Sequence, residues 1–589
     1  MFIYGFVGNA PCSDKQLEVF CRCAPLQVDG YGAALVQGGQ VFCAKSNSSC
    51  GEIREQLAHR DAVCGLAHAR FATCGGPTAE NAHPFVTEDF CVALNGTVEN
   101  AAALRSALGL PPCPDSDGAV LAALLQAYGE NGPVAALRLC SRQAKGDYAL
   151  AALHRDGACL YACAHGAPLY AAVRGDGAWI TSDLAALTPD TMKIYALSCG
   201  ECVQLRPGKV QFWNAKGKRI KKSPCPVTLR RLPAPGVADL GQALQALPVD
   251  LELLLRRYVR GDRPQWGKNR LRLGGIRRVL LVGSGISYRL AQAAACNFES
   301  VCDVPAFAYA AGEFCAGGVV CDRHALVVGI SAGGETPDTV SAVKKAALFG
   351  AATAALTGDP DSTLARSCST VLTVPCSLPG GVPPMTHFAL GYVLLALAAL
   401  DWGLRQKTIT PLFGRMAVKF CAALPDKLRL ILKSGSELDP LAAYLAAYDR
   451  LVLVGQNIDL ATAQAMTALW RRSLGVPVTC VAAGELRPSL LTLLNAHTGL
   501  VAPVSSGELM EKTCTALQLG AVRGCGTVLC TADALASQVW GVRQVFLLPD
   551  CLPLLAPVCQ CATLTMLLLR LGTVKTRQTP PVLPEEIAG

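Results

Sequence analysis

The sequence predicts an α/β fold class, in which one α+β unit precedes two similar units with parallel sheets. The chain has 589 residues, whereas a single domain typically has about 100–200. Half of the chain is hydrophobic (51%) and only 6% is aromatic, a balance typical of parallel sheets buried on both faces. Apolar strands, glycine-rich loops and helices alternate after Arg277 and again after Asp449, which indicates doubly wound sheets. Because only 16% of residues are charged, the composition excludes a disordered chain.

The first 215 residues combine short apolar strands with two helical stretches, the pattern of an α+β domain. The predicted helices are Leu104–Leu108 and Ala119–Ala127, and apolar alternation over Cys202–Phe212 predicts a closing β-ribbon. The predicted strands are Ile3–Val7, Ala33–Val36, Phe90–Leu94 and Tyr148–Leu153.

A proline-rich break follows this unit. Ser223–Pro235 contains four prolines, and proline removes a backbone donor, so we expect a linker there. A helix over Leu240–Val259 is predicted next. The predicted domains are 1–215, a linker with a bridging helix at 223–262, two α/β domains at 263–405 and 436–575, and a tail at 576–589.

The two α/β units repeat one order of elements. The first is predicted to contain strands Arg278–Val282, Ala325–Ile330, Ala352–Leu356 and Val371–Val374 with helices Tyr288–Phe298 and Asp338–Phe349. The second is predicted to contain strands Asp449–Gly455, Leu500–Pro503, Val528–Cys530 and Val545–Leu548 with helices Leu460–Leu474 and Glu508–Leu519.

Charge and cysteine usage limit the partners and the location. The net charge of +9 is spread along the chain, and the densest basic run, Lys216–Lys222, predicts a solvated hairpin or linker rather than a nucleic-acid site. The longest apolar run, Phe388–Leu400, predicts a buried helix because it is too short to span a bilayer. The 29 cysteines are scattered and show no zinc-finger spacing, so we expect a reducing, cytoplasmic environment without a metal site.

Two loops in the first α/β unit predict an anion site. Gly283–Ser287 and Ser331–Thr336 each join a buried strand to a helix and are rich in Gly, Ser and Thr. Backbone amides and the helix dipole favour an anion at such a junction. The third glycine of a dinucleotide fingerprint is absent, since Tyr288 takes its place. The loops therefore favour a phosphorylated small molecule, with sharp turns alone as the alternative.

Short motifs along the chain resemble one known family. Ile330–Thr339 (ISAGGETPDT) resembles the phosphate loop of the sugar isomerase domain, and Val282–Tyr288 (VGSGISY) resembles its first loop. These two motifs and six others resemble motifs of glutamine–fructose-6-phosphate aminotransferases (glucosamine-6-phosphate synthases). They occur in the same order and extend over nearly the whole chain. The others are HARFAT (His68–Thr73), NAHPF (Asn81–Phe85), LNGTVEN (Leu94–Asn100), GDYAL (Gly146–Leu150), AAGEL (Ala482–Leu486) and SSGELMEKT (Ser505–Thr513).

The resemblance implies a fold and two sites. It implies an N-terminal αββα glutaminase of the N-terminal-nucleophile type, two flavodoxin-like sugar isomerase domains, a homodimer, and no metal or organic cofactor. The implied reaction is glutamine–fructose-6-phosphate transamination with isomerisation to glucosamine-6-phosphate. The implied glutamine-pocket residues are Arg70, Thr73, His83, Asn95, Gly96 and Asp117, of which Asn95 and Gly96 match the oxyanion hole. The implied sugar-phosphate residues are Ser287, Ser331, Gly333, Gly334, Thr336 and Thr386.

The residues for glutamine hydrolysis depart from the family pattern. The family has Cys-Gly-x-x-Gly at the mature N-terminus, and the corresponding run here is Tyr4–Gly8. Tyr4 therefore stands at the nucleophile position, and Cys12 is no substitute for it. Since the amine of a terminal cysteine is the base of this chemistry, we expect no glutaminase activity.

The residues for isomerisation also depart from the pattern. The family's helix EGALKLKE corresponds to Ala465–Arg472, which puts Arg472 where the proton-transfer Glu belongs. An Arg does not act as a base near neutral pH. Arg487-Pro488-Ser489 replaces the family's Lys-His-Gly, and Lys575 is the last lysine, so the His and the Schiff-base Lys are also missing. The phosphate loop has Ala332 and Gly333 where the family has Gln and Ser, and the loop after Val374 has Met385 where the family has Ser.

Three hypotheses follow from the sequence. The first is a divergent family member that binds a sugar phosphate, or glutamine or glutamate, without catalysis. The second is an active aminotransferase or isomerase whose chemistry has moved, for example to Glu335 or His387. The third is a structural partner of a true synthase that has lost ligand binding.

Overall fold

The protein consists of two units, Met1–Val237 and Ala238–Gly589. The structure is a computed structural model that describes residues 1–24, 28–111, 115–157, 159–187, 192–225, 240–271, 273–378, 382–474, 476–486, 491–492, 494–505 and 507–578.

Two seven-stranded antiparallel sheets form the centre of the first unit. The first sheet has the order β11-β9-β10-β1-β4-β2-β3 and the second has the order β14-β13-β12-β8-β7-β6-β5. The strands are β1 (Phe2–Gly8), β2 (Gly30–Gln37), β3 (Gln40–Ser46), β4 (Cys64–Arg70), β5 (Phe85–Val86), β6 (Phe90–Gly96), β7 (Tyr148–His154), β8 (Leu160–His165), β9 (Tyr170–Arg174), β10 (Gly177–Thr181), β11 (Lys193–Ala196), β12 (Cys202–Arg206), β13 (Lys209–Trp213) and β14 (Arg219–Ile220).

Helices cover the outer face of each sheet. They are α1 (Ser13–Cys23), α2 (Cys50–Gln56), α3 (Ala101–Ala107), α4 (Asp117–Ala127) and α5 (Pro133–Gln143). Alternate residues of β1 point to opposite faces of the first sheet. Ile3 and Val7 join the core between the sheets, while Phe2 and Tyr4 join the core beneath α1 and α2. The third core lies between the second sheet and α3–α5. These layers are the expected αββα arrangement.

The sheet of the first unit extends past the predicted boundary at residue 215. Strand β14 pairs with β13 through Phe212 and Ile220, so the basic run forms the second half of a hairpin. The amide of Cys225 donates to the Ile194 carbonyl at 2.7 Å, which holds the start of the predicted linker on this unit. Linker residues 226–239 lie outside the described part of the chain.

Two five-stranded parallel sheets organise the second unit, with the orders β18-β17-β19-β20-β21 and β23-β22-β24-β25-β26. Both have the flavodoxin-like order 2-1-3-4-5, as the resemblance implies. The strands are β15 (Val259–Arg260) and β16 (Arg263–Pro264), which pair with each other, then β17 (Arg278–Gly283), β18 (Ala306–Ala310), β19 (Ala325–Ile330), β20 (Ala352–Thr357), β21 (Thr370–Thr373), β22 (Arg450–Gly455), β23 (Val478–Ala482), β24 (Thr498–Val504), β25 (Gly526–Thr531) and β26 (Gln544–Leu547).

The helices of the second unit build one continuous core with both sheets. They are α6 (Leu240–Tyr258), α7 (Ile286–Cys302), α8 (Ala311–Ala316), α9 (Pro337–Leu348), α10 (Thr363–Arg366), α11 (Pro384–Gln406), α12 (Pro411–Lys433), α13 (Asp439–Ala446), α14 (Ile458–Ser473), α15 (Gly507–Val522) and α16 (Ala556–Gln578).

Two helices of this core are long and apolar enough to cross a membrane by length and composition alone. They lie at Pro384–Gln406 and Pro553–Lys575, and 89% and 83% of their most apolar windows are buried inside the protein. The first contains Phe388–Leu400, so the prediction of a buried helix there is confirmed.

Candidate functional site

Arg70, His83 and Asp117 of the implied glutamine pocket are all buried in the first unit. The guanidinium of Arg70, at the end of β4, donates to the carbonyls of Cys74, Gly75 and Gly76. It is therefore held by its own loop. Thr73, just before that loop, is exposed.

Asp117 lies at the first turn of α4 and also bonds to the backbone. Its Oδ2 accepts from the Val98 amide and its Oδ1 from the Gly118 amide, both at 3.0 Å. Burial raises the pKa of the carboxyl, while the two amides and the nearby Arg70 oppose the shift. The backbone thus accounts for most hydrogen bonds of both charged groups, and no sequence pattern predicts these bonds.

His83 packs against a second buried histidine, His68, with ring centroids 4.5 Å apart. Burial, with smaller contributions from Arg70 and Lys45, lowers the pKa of His83 to about 3. Burial also lowers the pKa of His68. Both imidazoles are neutral near neutral pH, and the Nε2 of His83 lies 3.4 Å from the Ser116 hydroxyl.

The oxyanion position at the end of β6 faces Met1. The Gly96 amide donates to the thioether sulfur of Met1 at 3.4 Å. Gly96 has a φ of +117°, and an added Cβ would lie 2.2 Å from the Asp147 carbonyl oxygen, so only glycine fits there. Asn95 beside it is partly exposed.

Tyr4 lies inside the core beneath α1 and away from this amide. Only 2% of its surface is exposed, and its hydroxyl donates to the side-chain carbonyl of Gln16. The same carbonyl accepts from the Trp179 indole at 3.0 Å. Burial raises the pKa of the Tyr4 hydroxyl well above its usual range. Tyr4 has a structural role, and sequence matching alone did not reveal that Met1 is the residue beside Gly96.

The implied phosphate loop of the second unit is a compact turn at the carboxyl end of β19. The Ser331 and Thr336 hydroxyls hydrogen-bond each other across it at 2.9 Å, and the Gly334 amide donates to the Ser331 oxygen at 3.1 Å. Gly334 has a φ of +70°, while Gly333 at the tip is exposed. The loop thus places two hydroxyls and a helix N-terminus, that of α9, at the sheet edge where α/β ligands bind.

Ser287 begins the neighbouring helix. It follows Gly285, which is exposed and has a φ of +57°, and lies in the first turn of α7 beyond β17. Because β17 and β19 are paired and parallel, their carboxyl ends bring the two predicted loops to one edge. Thr386, in the first turn of α11, is fully buried, and its hydroxyl has no hydrogen-bond partner within the described residues.

The next residues are those considered for the missing chemistry: Glu335, His387 and Lys575. A carboxylate oxygen of Glu335 accepts from the Thr363 amide at 2.8 Å and so caps α10. His387 is fully buried, and burial lowers its pKa to about 4. The ammonium of Lys575 donates to the carbonyls of Ala446 and Tyr448 at 3.2 and 3.1 Å, which precede β22 and lie at its amino end.

Helix α14 contains the segment that the resemblance aligns with the family's EGALKLKE helix. Ala465 on it is fully buried and Leu469 partly buried, so the first Glu and the Lys of the pattern have become apolar. Arg472 lies in its last turn, and its side chain is outside the described part of the structure. Residues 487–490, which contain the Arg-Pro-Ser replacement, are outside it as well, as is the tail beyond residue 578.

A buried polar cluster in the second parallel sheet was not predicted. Asp459, at the start of α14, accepts from the Gln560 amide group at 2.7 Å and from the Ser505 backbone amide at 3.0 Å. Burial raises the pKa of Asp459 to about 6. Its carboxylate lies at the helix N-terminus where an anion is favoured. The only sequence signal was an acidic residue four positions after the strand-ending Gly455.

A metal cluster and a surface groove are two further candidates for a functional site. Within the described residues, no group of three or more His, Cys, Asp or Glu side chains is placed to hold a metal ion. An open groove of about 430 Å³ runs along the edge of the first parallel sheet, between Arg278, Phe307 and Val320. It includes none of the predicted site residues, and we therefore place the candidate site at the two loops.

Comparisons with known proteins agree with this architecture. Residues 68–189 match the glutamine amidotransferase domain and residues 273–400 the SIS domain. The chain is 25% identical over 581 residues to the isomerizing glutamine–fructose-6-phosphate aminotransferase of Caldanaerobacter subterraneus subsp. tengcongensis, covering 96% of this chain and 95% of the relative. The enzyme of that name from Symbiobacterium thermophilum is 25% identical over 606 residues, covering 100% and 98%.

A solved structure supports the fold of the second unit. The C-terminal domain of glucosamine-fructose-6-phosphate aminotransferase from Francisella tularensis superimposes with a TM-score of 0.54 at 20% identity, covering 57% of this chain and 96% of that one. The chain thus contains a glutamine amidotransferase domain and a SIS domain, and over nearly its whole length it is similar to glutamine–fructose-6-phosphate aminotransferases.

Proposed function

We propose that this protein binds a hexose phosphate in its first SIS domain and does not isomerise it. The observation that carries the proposal is the loop from Ser331 to Thr336, which keeps two paired hydroxyls at the carboxyl end of β19. Hydroxyls and helix N-termini are common phosphate donors. The two relatives described above are named for fructose-6-phosphate, which makes a hexose phosphate the ligand class to test.

The tip of the loop is open to solvent. Gly333 is exposed, and nothing lies within 4 Å of where its Cβ would be. Ala332 and Gly333 remove two donors that the resemblance implies, so binding relies on the Ser331 and Thr336 hydroxyls, backbone amides and Ser287. We expect weaker binding than a full set of donors would give.

Isomerisation is not expected because no suitable base is placed for it within the described residues. Moving a proton between C1 and C2 requires a group that takes and returns it. The carboxylate of Glu335 is bonded to the Thr363 amide, and His387 is fully buried. The amine of Lys575 is bonded to carbonyls at the amino end of β22, whereas the phosphate loop lies at a carboxyl edge.

A second proposal is that the first unit binds glutamine or glutamate without hydrolysing it. Arg70 and Asp117, which suit the two charges of an amino acid, are both present and interact electrostatically. We rank it second because backbone groups already satisfy most of their hydrogen bonds. Calorimetry with glutamine, comparing the wild type with Arg70→Lys, measures this directly.

We also propose a cytoplasmic location and a homodimer. The cysteines of the described part of the chain are all free thiols, which suits a reducing compartment. The homodimer rests on the family resemblance, and sedimentation of the purified chain tests it.

Thermal unfolding with and without ligand tests hexose phosphate binding. A ligand that binds only the folded state stabilises it by about 2.7 kcal/mol at a hundredfold excess over Kd, which raises the Tm of a unit of this size by roughly 4 °C. We expect fructose-6-phosphate or glucosamine-6-phosphate to raise the Tm and free fructose to leave it unchanged.

Variants make the test specific to the loop. Ser331→Ala combined with Thr336→Ala is expected to abolish the shift, while Ser300→Ala, an exposed hydroxyl on α7, is expected to keep it. If no hexose phosphate or amino-sugar phosphate raises the Tm, the proposal is wrong and the structural-partner hypothesis takes its place.

A further inference from the structure

Three pairs of cysteines in the described structure lie close enough that each thiol shifts the pKa of the other. They are Cys21 with Cys50, Cys163 with Cys202, and Cys551 with Cys559. All six are free thiols. Each pair joins two separate segments of the fold, and thiols in contact are positioned for disulfide chemistry if a reagent can reach them.

Access distinguishes these pairs. Cys163 and Cys202 lie directly opposite each other on β8 and β12, and both are fully buried between the second sheet and its helices. Cys559 is also fully buried. Cys21 and Cys50 are both half-buried, on the outer helices α1 and α2. Of the three pairs, this is the one in which both residues are partly exposed.

Geometry and charge also suit the pair on α1 and α2. The Cys21 sulfur lies 3.3 Å from the backbone carbonyl oxygen of Cys50, which places the Cys21 thiol against the first residue of α2. The hydrogen bond from the Cys50 thiol lowers the pKa of Cys21, and Arg54 lowers it further. The same interaction raises the pKa of Cys50. Cys21 is therefore the sulfur that forms a thiolate first.

We propose that Cys21 and Cys50 are a redox modification site, at which a small-molecule disulfide such as oxidised glutathione closes a reversible disulfide between α1 and α2. The Cys21 thiolate attacks one glutathione sulfur, which forms a mixed disulfide and releases the other glutathione as a thiolate. The Cys50 thiolate then attacks the Cys21 sulfur and expels the second glutathione. The two cysteine protons pass to the two departing thiolates, so the protein loses two electrons and oxidised glutathione gains them.

The site has a structural consequence for the first unit. Helix α1 also carries Gln16, which holds the Tyr4 hydroxyl and the Trp179 indole. A closed disulfide links α1 covalently to α2 and so holds the helical layer in place over β1. The modification is independent of hexose phosphate binding, which takes place in the second unit.

The sequence provides a direct assay. Trypsin cleavage after Lys15, Arg22, Lys45 and Arg54 releases Gln16–Arg22 and Ser46–Arg54, and each peptide contains a single cysteine. The folded full-length chain is equilibrated with mixtures of reduced and oxidised glutathione near neutral pH, alkylated and digested without reduction. We expect these two peptides to appear linked, in a share that rises with oxidised glutathione and returns to zero with dithiothreitol.

Controls separate the pair from general thiol oxidation. In Cys50→Ser, we expect the Cys21 peptide to carry one glutathione instead of the linked peptide. In Cys199→Ser, which removes an exposed lone cysteine, the linked share is expected to stay unchanged. The proposal is overturned if the two peptides are recovered alkylated or separately glutathionylated in the wild type. It is also overturned if the buried Cys163 and Cys202 become linked before Cys21 and Cys50.

Discussion

Replacing Gly334 by alanine tests whether the phosphate loop has the shape described. Gly334 has a φ of +70°, which costs an alanine about 1–2 kcal/mol. The new Cβ would also lie 2.0 Å from the Ser362 hydroxyl oxygen, which caps α10 through the Ala365 amide. Displacing that cap costs about 1 kcal/mol more. We therefore expect Gly334→Ala to destabilise the second unit by roughly 2–3 kcal/mol.

The neighbouring glycine supplies a matched control. Gly333 is exposed and has open space around its Cβ position, so Gly333→Ala is expected to change stability by less than about 0.5 kcal/mol. Urea unfolding of both variants gives the free energies, and calorimetry with fructose-6-phosphate gives the affinities. We expect Gly334→Ala to weaken binding at least tenfold. Equal stability and affinity in the two variants would refute the loop geometry.

Two further predictions concern buried groups. The pKa of Asp459 is raised from 3.8 to about 6 in the folded protein, so this carboxyl ionises first in the unfolded chain as the pH rises. The free energy of unfolding is therefore highest, as far as this residue is concerned, below about pH 4. It falls by on the order of 2–3 kcal/mol between about pH 4 and pH 6. Asp459→Asn is expected to lack this portion of the pH profile of the urea midpoint, and an unchanged profile would contradict the assignment. Tyr4→Phe, which removes the hydroxyl bonded to Gln16, is expected to lose about 1–3 kcal/mol in urea unfolding, whereas a variant as stable as the wild type would show that the bond contributes nothing.

Local patterns were sufficient to predict most of the fold. Strand Ala325–Ile330 has the predicted bounds because it is a short run of buried apolar residues between polar turns. Helix α11 extends beyond its predicted core because Pro384 provides a favourable first position. Strands such as β3 were missed, since Gln40–Ser46 is half exposed and has no clear alternation.

The site was predicted only in part because chemistry depends on long-range contacts. Residue types placed Ser331 and Thr336 in one loop, and the structure adds that their hydroxyls bond each other. Motif matching placed Tyr4 at the nucleophile position, but strand alternation turns its side chain into the core beneath α1. The link from Asp459 to Gln560 spans 101 positions, and no local pattern indicates such a contact.

Hydrogen exchange at the sugar tests the central claim of binding without isomerisation. Fructose-6-phosphate is incubated in deuterium oxide with enough protein to keep it bound, and its C1 and C2 positions are followed by mass spectrometry and proton NMR. The account predicts no protein-dependent deuterium uptake, because no described group is placed to take and return the proton. Uptake that requires folded protein, and that Glu335→Gln or His387→Ala removes, would show that the chain is an isomerase and would contradict the account.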